Sequence, residues 1–186
     1  ASGVPSWAAA AGGGAFTFID SATASTSATI DVDNIDGTYD VYLILYSQIR
    51  PATDATYARI RMKVADSPVT SSDYRYGSTW MSSSGSYPGG TTRSDDDDEF
   101  VTTYNGTSDA AAEPKDVIVW LYNPASTALW KSICWHDTGM QHDGYLYSTM
   151  GAGLLETTSA VTGLQYYQNS GNLTTGTIRL YGLAKS

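Results

Sequence analysis

The sequence predicts an all-β protein, an antiparallel β-sandwich, and three observations carry that expectation. Short runs of alternating apolar and polar residues recur along the chain, separated by Gly, Asn, Asp and Pro. No segment keeps the 3.6-residue helical period over three turns, so strands do not alternate with helices and a parallel α/β sheet is disfavoured. Charged residues make up only 16% of the chain, below the usual share of about a quarter, and Ser, Thr, Gly, Asn and Tyr take their place.

The elements follow in order. Residues 1–15 lack the basic stretch and long apolar core of a secretory signal and read as an extended N-terminal arm, with a weak helical stretch at residues 6–11; residues 16–186 read as one sandwich domain. Phe16-Thr17-Phe18-Ile19 is the first strand-like run. Ile30 and Val32 share a face in the next, and Asp36-Gly37 signals a turn. Residues 39–46 are too apolar for a half-solvated edge and predict a central strand. Ala58, Ile60, Met62 and Val64 alternate with Arg59, Arg61 and Lys63, which predicts a core face and a basic stripe able to pair with acids on a neighbouring strand or chain. Residues 73–77 and 78–81 suggest two short strands, residues 85–92 a loop, and Asn105-Gly106 a tight turn. Residues 117–122, 129–135, 145–150, 161–167 and 177–183 complete a count of roughly eight to ten strands, in the range of a sandwich or barrel.

Bulk properties narrow the function. A net charge of −9 gives no counterion-release gain on a phosphate backbone, so neither nucleic acid nor an anionic membrane is expected as a partner. No apolar run nears the ~20 residues of a spanning helix. A chain of 186 residues buries enough surface to fold without metal or disulfide. The single cysteine, Cys134, reads as a small buried hydrophobe; His136 shares its strand face, a weak hint of thiol chemistry.

The sequence presents no recognisable catalytic set. His136, Asp137, His142 and Asp143 offer metal-ligating types, but their spacing fits no compact motif, and they read as a polar hairpin loop between Trp135 and Tyr145. The acidic run Asp95-Asp96-Asp97-Asp98-Glu99 lacks the spaced pattern of a calcium loop and reads as a solvated loop, with a cation or a partner's basic patch as alternatives. There is no Gly-x-Ser-x-Gly elbow and no phosphate-cradling glycine loop. Asn105-Gly106-Thr107 and Asn172-Leu173-Thr174 match the glycosylation sequon, a pattern that chance supplies easily in such a chain. No catalytic, cofactor-binding or metal-binding residue is therefore assigned, and no enzyme is expected. The aromatics remain, with 14 Tyr and 5 Trp against 3 Phe. Tyr74, Tyr76, Trp80 and Tyr87 sit in loop-like sequence, where they would cover a neighbouring subunit or form a shallow glycan surface.

Four blocks resemble small jelly-roll-like β-sandwich proteins of tailed-bacteriophage particles. Asn34-Ile35-Asp36-Gly37-Thr38-Tyr39-Asp40-Val41-Tyr42-Leu43-Ile44 is similar to an I-P-x-T-Y opening, with Asp36 where the family has proline. Ala58-Arg59-Ile60-Arg61-Met62-Lys63-Val64 resembles an L-R-x-R-F-N strand but lacks its Asn-Gly-Asp continuation. Ser72-Asp73-Tyr74-Arg75-Tyr76 resembles x-N-Y-x-Y, and Gly176-Thr177-Ile178-Arg179-Leu180-Tyr181-Gly182-Leu183 a closing G-x-x-x-L-Y-G strand. The resemblance implies a virion structural protein on the particle exterior, a capsid decoration or cement protein contacting the major capsid protein or tail components, and commonly a homotrimer. The alternative it implies is a tail or head fibre or baseplate adhesin that recognises host surface glycan.

Overall fold

The computed structural model describes residues 15–86, 89–113 and 115–184. The strands are β1 (Phe16–Ser27), β2 (Thr29–Val32), β3 (Val41–Pro51), β4 (Ala58–Val64), β5 (Ser67–Pro68), β6 (Tyr74–Ser82) and β7 (Gly89–Asp97). They continue as β8 (Phe100–Val101), β9 (Lys115–Tyr122), β10 (Lys131–Met140), β11 (Leu146–Leu155), β12 (Val161–Gln168) and β13 (Leu173–Leu183). One sheet has eight strands in the order β1-β13-β3-β9-β10-β11-β6-β7; the other runs β2-β12-β4-β5, with β8 also on β4. Every pairing between these strands is antiparallel. The predicted antiparallel sandwich is the observed fold.

The core lies between the sheets. Tyr42, Ile44 and Tyr46 of β3, Val117, Val119 and Leu121 of β9, Ile133 and Trp135 of β10 and Ile178 and Leu180 of β13 point inward from the larger sheet. Ile30, Val32, Ile60, Met62, Leu164 and Tyr166 meet them from the smaller one. Tyr46 and Tyr166 touch across the gap with ring centroids 4.8 Å apart, as interdigitating inner faces require. Residues 39–46 do supply a central strand, since β3 lies between β13 and β9.

The four blocks that carry the resemblance are tied in two pairs, the first with the fourth and the second with the third. The Tyr42 hydroxyl donates to the Asp36 carbonyl at 2.9 Å and receives the Asp36 amide N–H at 3.2 Å, which closes the opening turn. Burial pushes the Tyr42 phenol up to about 12, so it stays a donor. Thr38 gives its N–H and hydroxyl to the Asp36 carboxylate, holding it below the usual carboxylate range. The ring of Tyr39 lies where a Cβ on Gly182 would stand, 2.3 Å from the nearest ring atom, so the opening block packs onto the closing one. Tyr74 of the third block accepts the Met62 N–H of the second at 3.0 Å and donates to Val69 at 3.1 Å. These motif residues therefore serve the fold.

Several expectations are corrected. The two short strands expected over residues 73–81 are one strand, β6 (Tyr74–Ser82), and residues 89–92 belong to β7 instead of a loop. Edge strand β7 is Gly-, Thr- and Asp-rich, so its pairing with β6 carried no apolar signal. Together with the two-residue strands β5 and β8 this brings the total to thirteen among the described residues. Of the arm expected over residues 1–15, residues 1–14, with the helical stretch, lie outside the described residues.

Candidate functional site

The outer face of the eight-stranded sheet has no layer over it among the described residues. Successive side chains of a strand point to opposite faces, so the partners of the core residues face outward. One transverse row reads Tyr181, Leu43, Trp120, Cys134, Ala152 and Gly77 across β13, β3, β9, β10, β11 and β6. The next reads Arg179, Leu45, Ile118, His136, Met150 and Thr79. Ile118 is 41% exposed, Met150 56% and Met81 62%. At the β1 edge Phe18 packs on Tyr181 and Phe16 on Trp120, at centroid distances of 5.7 and 6.0 Å. Small residues Gly77 and Ala152 open a shallow groove of about 580 Å³, floored with Thr79, Met150 and Gly151 and edged by Arg93. The two rows hold no carboxylate. Arg75 at one margin is paired with Glu156 at 2.5 Å.

The basic stripe of β4, expected to meet acids of a neighbouring strand or of another chain, is paired within the chain. Arg59 and Arg61 reach Glu99, Arg61 at 2.9 Å, and Arg61 also holds Asp98 at 2.5 Å. Tyr167 donates to Glu99 and lies under the Arg61 guanidinium, 4.9 Å away. Lys63 contacts Asp33 at 2.6 Å and Asp31 at 3.4 Å. The acidic run is thus no solvated loop. Asp95, Asp96 and Asp97 end β7; Asp98 and Glu99 carry the chain across to β8 in the other sheet, and the arginines of β4 clamp that crossing. Burial raises the Glu99 carboxyl, and Arg59 and Arg61 oppose the shift. Ligand atoms of Asp97, Asp98 and Glu99 lie within 4.8 Å of one another, as a cation needs, but guanidinium groups already meet two of the three.

The residues His136, Asp137, His142 and Asp143 are not gathered. β10 runs on to Met140, so His136 and Asp137 lie on a strand and point to opposite faces. The expected hairpin loop shrinks to the turn after Met140. His136 faces outward and bonds Ser148 at 2.8 Å. Cys134 is also on the outer face, partly exposed, with Tyr122 Oη 3.4 Å from its sulfur. In the turn, His142 Nδ1 is 2.9 Å from the Asn105 carbonyl, and Asn105 donates to Asp143 at 3.2 Å. This ties the turn to Asn105-Gly106, both with φ near +60°, where a Cβ on Gly106 would also strike Ala55 at 2.8 Å. Between them opens a rim pocket of about 410 Å³ lined by Trp80, Tyr104, Asn105, Gln141, His142 and Asp143.

The aromatics expected at the surface are mostly internal. Tyr74 and Tyr76 are core residues, and Trp80 is buried too. Its ring stacks on Tyr104 at 3.6 Å and 8° and is pressed against Gly90. Tyr87 lies outside the described residues.

A buried lysine–aspartate pair lies between β9 and β10. Lys115 and Asp137 are fully buried, with Nζ 2.6 Å from Oδ2. Tyr147 donates to Asp137 Oδ1 at 3.1 Å, and the Tyr166 ring is 5.8 Å from Nζ. Burial pushes the lysine down and the aspartic acid up, each opposed by its partner. Extending the alternation of Val117, Val119 and Leu121 back by one step, and that of Ile133 and Trp135 forward by one, turns both residues inward.

No family model matches the chain, and no curated protein does. Among solved structures it is similar to an exo-inulinase from Aspergillus awamori, with 8% identity and a TM-score of 0.38 over 91% of this chain and 29% of that one. It is also similar to a fructofuranosidase from Schwanniomyces occidentalis, with 7% identity and a TM-score of 0.27 over 91% of this chain and 34% of that one. The chain thus spans about a third or less of either protein.

Proposed function

We propose that this chain is a non-enzymatic structural subunit of a bacteriophage particle, a decoration or cement protein that acts by packing its uncovered sheet face against another protein chain of the particle. The observation that carries the reading is the composition of that face. In a chain of net charge −9, the two central rows of the larger sheet hold no acid and are dominated by Tyr, Leu, Trp, Ile and Met. Apolar sheet faces are stable when another layer covers them. Exposed apolar patches of several hundred Å² mark protein-binding surfaces. Like-charge repulsion between acidic subunits is also weakest where their carboxylates are absent. A subunit that binds only the assembled shell stabilises it by mass action, and symmetry repeats the gain at every position.

The variant Ile118→Asp with Met150→Asp places two charges on this face and leaves the core untouched. It is expected to keep its fold by circular dichroism and to lose binding to purified particles by at least tenfold in a sedimentation assay. Undiminished occupancy of the particles would overturn the reading. Quantification in purified particles separates the placements: hundreds of copies fit head decoration, and a few to a few dozen fit the tail.

A second reading, an adhesin that takes host glycan, is favoured by the rim pocket alone. Tyr104 is the more exposed ring of its stack, and the amides of Asn105 and Gln141 with His142 and Asp143 offer both donors and acceptors. Glycan-array binding lost on Tyr104→Ala, with particle binding intact, is the expected result for that reading. An array without signal removes it.

A further inference from the structure

We propose that Lys115 and Asp137 join in a spontaneous intramolecular amide bond between Nζ and Cγ, a covalent staple from β9 to β10 inside the core. Lys115 lies one step before Val117, which pairs with Asp137, so the two side chains meet on the diagonal of adjacent strands. Gly139 provides the space: a Cβ there would stand 3.3 Å from Lys115 Cβ and 3.2 Å from the Tyr147 hydroxyl. An oxygen 2.6 Å from Nζ places the carboxyl carbon at about 3–3.5 Å, the separation of groups poised to react.

The surroundings favour the neutral, reactive forms. A lysine ammonium has three donors, yet Nζ has no hydrogen-bond partner besides Asp137 among the described residues. Among the described residues, Asp137 Oδ2 is paired with Lys115, and the Thr102 hydroxyl also lies beside the carboxyl group. Both side chains are wholly out of water, so transfer of a proton from the ammonium to the carboxylate removes two buried charges. The free amine is then the nucleophile and the protonated carboxyl the electrophile.

The step balances without a co-reactant. The Nζ lone pair forms a bond to Cγ, and the Cγ–Oδ1 π pair moves onto Oδ1, where the Tyr147 hydroxyl donates. One Nζ proton passes to the Oδ2 hydroxyl, the Cγ–Oδ2 bond breaks, and Oδ2 leaves as water. The carbonyl re-forms and Nζ keeps one hydrogen as an amide N–H. Held in place, such pairs react with effective molarities on the order of 10⁵ M or more.

Intact-mass spectrometry of the full chain tests this directly. Folded protein is expected to be lighter than its sequence mass by one water, and proteolysis to yield a branched peptide joining the Lys115 and Asp137 segments. Protein kept in urea from synthesis onward should retain full mass and lose water only on refolding. Asp137→Ala should keep full mass, and Tyr147→Phe, which retains the ring, should slow the loss at least tenfold. A full sequence mass for folded protein would overturn the proposal. So would water loss that maps to Asp36-Gly37 or Asp143-Gly144, since those pairs can cyclise on their own backbone, or a deficit that survives in Asp137→Ala.

Discussion

Replacing Asp137 with alanine lowers the free energy of unfolding by at least about 3–5 kcal/mol, the range for stranding one member of a buried Lys–Asp pair, and loss of the proposed amide staple adds to it. The effect is large because, among the described residues, Asp137 is the one charged group that meets the fully buried Lys115 amine, and the Tyr166 ring adds only a weak cation–π contact at 5.8 Å. Tyr147 loses its acceptor at the same time. Urea denaturation followed by tryptophan fluorescence measures the loss, and Trp135, two residues from Asp137 on the same inner face, lies close to the change. The double variant Lys115→Met with Asp137→Ala is expected to recover part of the stability, because an apolar side chain removes the stranded amine. A single variant within about 0.5 kcal/mol of the parent, the scatter of surface substitutions, would show that the pair is solvated.

The second large effect comes from a residue without a side chain. Gly151 of β11 stands opposite Trp135, and a Cβ there would lie 2.2 Å from ring atom Cζ2 and 2.4 Å from Cε2. Gly151→Ala therefore forces the indole to move. Trp135 is 3% exposed and packs against Tyr76 and Phe100 at centroid distances of 6.3 and 6.1 Å, so the displacement passes into the aromatic cluster. Overpacking of this kind costs about 1–3 kcal/mol, with larger losses where the backbone must yield. The melting temperature should fall and the near-ultraviolet circular dichroism of the tryptophans should change. Gly77→Ala, with open space around its Cβ, is the matched control and should be close to neutral. Equal melting temperatures for the two variants would contradict the packing argument.

The strands that were legible in the sequence are those with an apolar inner face. β3, β4, β9 and β13 announce themselves because Val, Ile, Leu and Tyr recur at a period of two. β7 does not, because an edge strand paired with β6 alone needs backbone hydrogen bonds more than buried area, and its Gly, Thr and Asp look like a turn. Glu99 was concealed by the same rule. In a run of five acids it looks solvated, and only the fold brings Arg59 and Arg61 from a strand some forty residues earlier onto it. The stripe on β4, in contrast, was readable as a surface that needs acidic partners, because three cations on one face of a strand repel one another unless matched.

The inward placement of the aromatics on β6 has a related cause. Tyr74, Tyr76 and Trp80 are spaced by two and by four, the inner positions of one strand, but Ser and Gly between them resemble loop composition. Lys115 and Asp137 were invisible for the opposite reason. Each looks like the polar boundary of its strand, and charge argues against burial until the partner is known. The uncovered face was present in the sequence as the second apolar set of β3 and β9, where Leu43, Leu45, Ile118 and Trp120 occupy the positions that a strand with one wet side gives to polar residues.

The pairing of β1 with β13 has a mechanical consequence. Phe16 sits opposite Leu183, and Ala184 donates its N–H to the Ala15 carbonyl at 2.9 Å, so both ends of the described chain leave the sheet at one corner. Tension applied between residues 15 and 184 peels these strands apart one hydrogen bond at a time instead of loading the whole ladder in shear. A tether fixed to both ends would open this edge at low force, whereas a load spread across the broad face would meet the full width of the sheet.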